Sequence, residues 1–460
     1  MITLESFFEE ENLRRKQIKA IKAVNEKRNI FLTGKAGTGK SHVVKAIKKY
    51  LGNKIVLTAS TGVAATNIGG TTTHSFLRLG RMTVHPEIII KELRKYKKEA
   101  FDSIKNTQVL LVDEISMFSS KELYFIDYVL RQVKSNELPF GGTQIILVGD
   151  LLQLPFVDRL DDRDVSGIPK APIYNSDLWK SLKLTPIFLD EVIRQDDLVF
   201  LDHLEKIRYG EYSSAFMNVV NNQYCTESEL NKLDLNALTL VSSNREVDLI
   251  NFQNYEKLKG TEHTYKWFIK KGDEIAIRTC GTMDRVEKEL KLKVGSKIIL
   301  NYNVSIETGL VNGTTGKIVE IKNGYPIIEY IFRGESKRSE ITPIDFQEHR
   351  FNPASQSLEL ELCVSQLPIS LAYAVTVNRS QGLSLNSVII DLGDYASTVP
   401  GQVYTAISRC RKMETLYFKR FPSRRINPKT NTHFAVDLKA IQFLNQIEQQ
   451  CNQEDTIFNI

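Results

Sequence analysis

The run Gly34-Lys35-Ala36-Gly37-Thr38-Gly39-Lys40-Ser41 fits G-x-x-x-x-G-K-[ST] and follows directly on the apolar stretch 29–33. That spacing is the chemistry of phosphate binding. Glycines let backbone N–H groups converge on an anion at a helix N-terminus, so Gly37, Thr38 and Gly39 are expected to line the phosphates. Lys40 supplies a point charge, and Ser41 can ligate Mg²⁺. A second site is expected at Val109-Leu110-Leu111-Val112-Asp113-Glu114, four apolar residues ending in two carboxylates. Asp113 would hold the metal through water and Glu114 would polarise an attacking water. Together they point to nucleoside triphosphate hydrolysis rather than a small-molecule kinase, because the dyad sets a base beside the γ-phosphate instead of an acceptor pocket. A third signal is Val148-Gly149-Asp150-Leu151-Leu152-Gln153-Leu154-Pro155, a strand running into a polar turn. Gln153 could sense the γ-phosphate or position water; a buried loop amide is the alternative.

Such residues need strands that end side by side. Apolar runs at 29–33, 55–58, 109–112 and 145–148 are separated by helical patterns such as 91–104 and 121–134, which implies parallel βαβ units with ligands at the strand C-termini. From about 186 to 205 the chain reads as helical and charged, and a second α/β series offers strands at 238–241, 371–376 and 387–391. Between these, 292–367 alternates polar and apolar residues around turn signals at Asn312-Gly313 and Asn323-Gly324, the pattern of a small inserted β module. With 460 residues, 42% hydrophobic and 25% charged, the chain is a multidomain globular protein, neither collagen-like nor disordered. A net charge of +6 permits a polyanion partner without requiring one. The five cysteines are scattered without metal-ligand spacing, so neither a disulfide framework nor a structural metal is expected, and a reducing compartment is. Apolar runs fall well short of the roughly 18 residues of a membrane span. The segment 1–11 has four acidic residues and no basic one, opposite to a secretion or transit signal, so a cytoplasmic location is expected.

Gly-Asp-x-x-Gln-Leu-Pro after an Asp-Glu strand resembles superfamily 1 helicases, and over nearly the whole chain the closer resemblance is to the PIF (petite integration frequency) family of superfamily 1B DNA helicases, related to RecD-like and Dda-like helicases. Thr58 to Ala65 with Ile68 to Phe76 is similar to that family's strand-contacting segment. Ile126-Asp127-Tyr128 through Pro139-Phe140-Gly141-Gly142 is similar to the family's own signature. Val192-Ile193-Arg194-Gln195, Ser242-Ser243-Asn244-Arg245, Thr376 to Gly382 and Ala406-Ile407-Ser408-Arg409 follow in the family's order. The resemblance implies that Gln17 reads adenine, that Gly382 belongs to the nucleotide-facing motif, and that Arg194 and Arg409 reach the γ-phosphate from the second domain when the cleft closes. It points to Thr61, His74, Thr376, Asn378 and Ser380 as contacts to the DNA backbone, groups suited to positioning without sequence readout. Phe76 could stack on a base or fill a core. Two departures stand out: Pro155-Phe156 where the family has two prolines, and Asn378-Arg379 where His-Lys is common.

The expected fold is α/β: two RecA-like P-loop domains with parallel sheets, a small wedge at about 76–105 and an inserted Src-homology-3-like β barrel. The expected bounds are 1–190 for the first domain, 191–300 with 366–460 for the second, and 301–365 for the barrel. The resemblance implies an ATP- and Mg²⁺-dependent motor on single-stranded DNA and at single-strand/duplex junctions. It would act as a monomer, move 5′ to 3′, and open duplex or G-quadruplex DNA in replication, repair, recombination or telomere maintenance. A translocase that only strips proteins, a nucleotide-gated binding module and an RNA motor remain as alternatives.

Overall fold

The computed structural model describes residues 4–80, 82–156, 164–191, 198–230, 237–273, 286–352, 357–393, 396, 398–422 and 432–457. They form two compact units, Met1–Leu235 with Gln381–Ile460, and Asn236–Ser380. The first unit begins with α1 (Leu4–Glu10), α2 (Arg15–Asn25), β1 (Ile30–Gly34), α3 (Lys40–Leu51), β2 (Ile55–Ala59), α4 (Gly62–Asn67) and β3 (Thr71–Thr72). It continues with α5 (Thr73–Leu77), α6 (Pro86–Tyr96), α7 (Lys98–Asn106), β4 (Val109–Asp113), α8 (Ser120–Lys134) and β5 (Gln144–Val148). Next come α9 (Asp177–Ser181), β6 (Thr185–Leu189), α10 (Leu198–Arg208), α11 (Ser214–Asn222) and α12 (Glu227–Leu230).

The strands of this first part form one parallel sheet in the order β3-β2-β4-β5-β1-β6. Their side chains alternate between two cores, as a period of two requires when helices cover both faces. Phe31, Leu110, Val112, Ile145, Leu147 and Phe188 enter the core that α6 and α8 complete. Their neighbours Ile30, Leu32, Val109, Leu111, Ile146 and Val148 enter the other, with α1, α2 and α3. Continuous apolar runs are therefore the sequence image of central strands. The 186–205 stretch, expected to be helical, instead opens with β6, which pairs with β1 from Thr185 to Leu189. Pro186 disguised it: β6 is an edge strand, where a residue without an N–H is tolerated. The next described helix is α10, from Leu198.

The family-signature segment holds the start of β5. Asp127 on α8 accepts hydrogen bonds from the Phe140 N–H at 2.6 Å and from Arg131 Nε at 2.9 Å. It fixes a turn in which Phe140 and Gly141 have φ of 55° and 60°, while the Phe140 ring is buried in the first core.

The second unit holds β7 (Leu238–Val241), α13 (Asn244–Glu256), β8 (His263–Lys266), β9 (Phe268–Lys271), β10 (Glu289–Leu292) and β11 (Lys297–Leu300). It continues through β12 (Thr315–Lys322), β13 (Tyr325–Phe332), β14 (Glu335–Glu340), β15 (Ile344–Asn352), β16 (Ser357–Gln366), β17 (Ile369–Leu371) and β18 (Ala374–Thr376). An antiparallel five-stranded sheet runs β14-β13-β12-β11-β17, beside a three-stranded sheet β15-β16-β9 and the pair β10-β8. Antiparallel structure thus begins at His263, ahead of the alternating stretch recognised from 292 onward. The expected single strand 371–376 is two: β17 pairs with β11, and β18 pairs in parallel with β7. Asn251 of α13 manages the break, donating to the Leu371 carbonyl and accepting from the N–H groups of Tyr373 and Ala374.

Back in the first unit, β19 (Val388–Asp391) and β20 (Leu416–Arg420) pair in parallel around α14 (Gln402–Ser408), and α15 (Leu438–Ile457) ends the described chain. Helix α15 sends Ala440, Leu444, Ile447 and Cys451 into the first sheet's core. Phe443 stacks on Tyr174 at 5.2 Å, and the Tyr174 hydroxyl donates to Asp437 at 2.9 Å. Among the described residues no helix is long and apolar enough to cross a membrane. Because Leu444 is 1% exposed, Leu444→Ala is expected to cost about 2–5 kcal/mol, measured as a lowered urea midpoint; an unchanged midpoint would show that α15 does not dock.

Candidate nucleotide site and strand-contact residues

At the end of β1 the chain turns through Gly39, φ 82°, into α3. Glycine takes this left-handed cap without a Cβ penalty, leaving the free N–H groups of the first turn facing the loop. Lys40 Nζ donates to the carbonyls of Gly34 and Lys35 at 2.8 and 3.0 Å. Burial pushes its pKa down, against the opposing charges of Asp150, Glu114 and Asp113. A desolvated ammonium held by its own loop, above a helix N-terminus, is a seat for an anion. Thr38 Oγ1 braces the loop by donating to the Lys35 carbonyl at 2.8 Å, and Ser41 stands exposed in the first turn of α3.

The order β4-β5-β1 brings the other two motifs alongside. Asp113 closes β4 and accepts from the Glu114 N–H at 2.8 Å. Glu114 itself has φ 53°, a left-handed conformation that costs a non-glycine residue on the order of 1 kcal/mol. Burial, and then the neighbouring Glu114 charge, push Asp113 up to about 7. Crowded carboxylates suit a hard cation, and with the Ser41 hydroxyl the donor set fits Mg²⁺, which takes few protein oxygens and fills its shell with phosphate and water. No cluster of three or more His, Cys, Asp or Glu among the described residues offers an all-protein metal cage.

Gln153, in the turn after β5, accepts from Arg409 Nη2 at 3.2 Å. Arg409 follows α14 and is only 7% exposed; its Nε also donates to the Thr405 carbonyl at 3.0 Å. Gly382 lies in the same unit, its carbonyl accepting from Asn67 Nδ2 at 2.8 Å. Gln17 is buried beside a crevice lined with Arg14, Lys16, Thr38, Leu189 and Glu191. Its amide accepts from the Arg14 N–H at 3.0 Å and donates to the Thr38 carbonyl at 3.4 Å, tying α2 to the phosphate loop. Arg194 lies outside the described residues.

The first unit thus brings together Gln17, the loop 34–41, Asp113, Glu114, Gln153 and Arg409. It also holds Thr61, which caps α4 by accepting from the Ala64 N–H at 3.2 Å, and His74, whose burial pushes its pKa down and favours the neutral ring. Phe76 is half-buried against the first core. Thr376, Asn378 and Ser380 belong to the second unit, where Ser380 is fully buried with its hydroxyl donating to the Val377 carbonyl at 2.7 Å. Arg379 donates to Asn301, a residue at the end of β11.

The motifs legible in the sequence include Asp150 without a role for it and do not include Arg208, Tyr404 or Glu205. Asp150 is 1% exposed and receives Arg208 Nε and Nη2 at 3.1 and 3.0 Å and the Tyr404 hydroxyl at 2.8 Å. Burial alone would raise the Asp150 pKa; Arg208 and Lys40 outweigh it and hold the carboxyl below its ordinary range. Glu205 pairs with Lys35 of the phosphate loop at 3.0 Å. The available signal was Arg208 on the apolar face of α10, where a guanidinium is buried only with a partner.

Parallel strands feeding a phosphate loop, with a second α/β series returning an arginine to the Gln153 turn, make this a P-loop NTPase fold of two RecA-like domains. Residues 11–229 match the family model described as PIF1-like helicase, 283–321 that of the DNA helicase Pif1 2B domain, and 342–443 one described as helicase. The ATP-dependent DNA helicase PIF1 of Xenopus laevis is 31% identical over 92% of this chain, which spans 62% of that protein's length. The crystal structure of the Pif1 helicase from Candida albicans superposes with a TM-score of 0.78 at 27% identity, covering 95% of this chain and 99% of that one. The Pif1 helicase from Bacteroides in complex with ADP-AlF3 and ssDNA does so with a TM-score of 0.78 at 25% identity, covering 96% and 98%. The chain belongs to the PIF1-like helicase family.

The shifted Asp113 has a consequence for stability. The fold keeps its proton up to about pH 7, against 3.8 for the free group, so the folded state binds more protons across that window and stability falls as pH rises through it. Asp113→Asn removes the fall. Without nucleotide or Mg²⁺, the variant is expected to exceed wild type at pH 8 by on the order of 1 kcal/mol, the gap closing toward pH 4. Urea unfolding at both pH values checks this; coincident curves at pH 8 would contradict it.

Proposed function

We propose that this chain is an ATP- and Mg²⁺-dependent DNA helicase that moves 5′ to 3′ along single-stranded DNA and opens duplex, and also G-quadruplex, structures ahead of it. The observation that carries the reading is Arg409, buried and bonded to Gln153 in the same unit as the phosphate loop. A nucleotide-gated binding module has no need of a second arginine at that place. In this reading Glu114 takes a proton from water as its oxygen attacks the γ-phosphorus, and the bridging bond to the β-phosphate breaks with its electron pair leaving on ADP. Lys40 and Arg409 meet the charge that develops on the transferring group. Ser41 and Asp113 would hold Mg²⁺, which would supply positive charge against the phosphates. The family membership and the likeness to a Pif1 helicase carrying ADP-AlF3 and ssDNA support both the nucleotide and the strand. Thr61 and His74 in the first unit, and Thr376, Asn378 and Ser380 in the second, are the proposed grips on the DNA backbone. The antiparallel insert is proposed to be the Src-homology-3-like barrel that shapes the strand's path, and α6 and α7 the wedge.

Two duplexes identical except for a single-stranded tail, 5′ on one and 3′ on the other, test the motor directly. ATP-dependent displacement of the 5′-tailed duplex alone is expected, with Lys40→Ala inactive on both. Opening of neither, with DNA-stimulated hydrolysis intact, would leave a protein-stripping translocase, and equal stimulation by RNA homopolymers would widen the substrate class. Single-strand affinity should fall with salt at a log–log slope near about −0.7 per phosphate neutralised.

A further inference from the structure

Helix α14 is fastened to the turn after β5 at several points. The Tyr404 hydroxyl donates to Asp150 at 2.8 Å, the Leu154 N–H donates to Thr405 Oγ1 at 2.9 Å, and Arg409 donates to Gln153 at 3.2 Å. At the head of the helix Gly401, φ 71°, lies so close that a Cβ there would sit 2.6 Å from the Leu152 carbonyl oxygen. Gln381 adds a bond from Nε2 to the Leu154 carbonyl at 3.2 Å. These contacts differ in strength. Leu154–Thr405 joins two neutral groups, whereas Tyr404 donates to a carboxylate and Arg409 donates from a guanidinium, and a bond with an ionised member is roughly twice as strong as a neutral one.

That carboxylate is itself immobilised. Asp150 is gripped by Arg208 through two nitrogens, accepts the Leu152 N–H at 3.1 Å, and neither partner of the ion pair has an exposed side chain. Arg208 is anchored in turn on α10, whose Glu205 holds Lys35 of the phosphate loop. A continuous set of polar contacts therefore joins the phosphate loop, α10, the Gln153 turn and α14. Tyr404 is the member that ties α14 to a fixed point, and Arg409 lies little more than one turn further along.

Resting on the hydrolase reading above, we propose that Tyr404 is a positioning residue for hydrolysis. Its hydroxyl, bonded to the Asp150 that Arg208 anchors, sets the seat of α14 on the Gln153 turn and so the place where the Arg409 guanidinium presents itself to the γ-phosphate. Tyr404 does not touch nucleotide; it acts through Arg409.

The experiment is a double-mutant cycle on the full chain, with ATP turnover measured on single-stranded DNA. Tyr404→Phe keeps the ring and removes one hydroxyl, and Asp150 retains Arg208, so the fold is expected to survive. It should lower kcat about tenfold, the effect of losing one hydrogen bond to a charged group, while KM for ATP stays within about twofold. In an Arg409→Lys background, whose own kcat is already low, the same change should cost less than about twofold. Thr405→Ser, which keeps the acceptor for Leu154, should hold kcat, and Thr405→Val should lower it. This second pair carries the test if Tyr404→Phe fails to melt cooperatively.

Equal losses from Tyr404→Phe in both backgrounds, or an unchanged kcat in the first, would overturn the positioning role while leaving the hydrolase reading intact. Undiminished turnover in Arg409→Lys alone would also overturn the positioning role, because there would be no catalytic arginine for Tyr404 to act through; only absence of turnover in the wild-type chain would overturn the hydrolase reading.

Discussion

Everything at this site depends on the burial of one ammonium. Lys40 is partly withdrawn from water, is held by two carbonyls of its own loop, and has its pKa pushed down by burial. Burying a cation is costly unless charge of the other sign is near. That compensation comes from Asp150, Glu114 and Asp113, which lie on neither its own strand nor its own helix. The sheet order β4-β5-β1 is therefore an electrostatic requirement as much as a topological one. Two parallel strands, β4 and β5, ending at a common edge bring the three carboxylates to bear on one lysine.

The same edge has to be rigid, and the alternation of the strands provides this. Each of β1, β4 and β5 gives one set of side chains to the core under α8 and the other to the core under α2 and α3. Neither face is free to slide without exposing the other. Helix α15 packs on the first of these cores although it comes from the far end of the chain. The Asp127 bond to Phe140 fixes the entry of β5, so the Gln153 turn is positioned from both ends of its strand. Rigid elements of this kind are what hold a catalytic group to within a fraction of an ångström.

Legibility followed locality. The phosphate loop and the Asp-Glu strand end could be read because each is a short run whose chemistry is complete within a few neighbours, and buried strands announce themselves as continuous apolar runs. Strand β6 was hidden because Pro186 is a strand breaker everywhere except at an edge, and edge position is a property of the sheet, not of the segment. The break between β17 and β18 depends on Asn251, more than a hundred residues away in sequence. The Asp150 cluster is the extreme case, its members separated by 58 and 254 positions. A polar residue on an apolar helix face announces that it has a partner but does not say which one.

The pairing of Arg409 with Gln153 bears on how such a site could favour nucleotide over its own empty state. A guanidinium left bare in a buried site would be paid for throughout the cycle; here it is satisfied by a neutral amide oxygen at 3.2 Å. In the proposed reaction an incoming γ-phosphate would exchange that neutral acceptor for an anionic one, and pairing two opposite charges is stronger than the singly charged bond it replaces. The gain is greatest when phosphate charge shifts in the transition state, provided the guanidinium needs no reorganisation to meet it. A weak resting partner and a firm anchor answer these two demands separately. Gln153 keeps the arginine satisfied yet exchangeable, while the Asp150–Arg208 pair keeps the surrounding backbone from moving during the exchange.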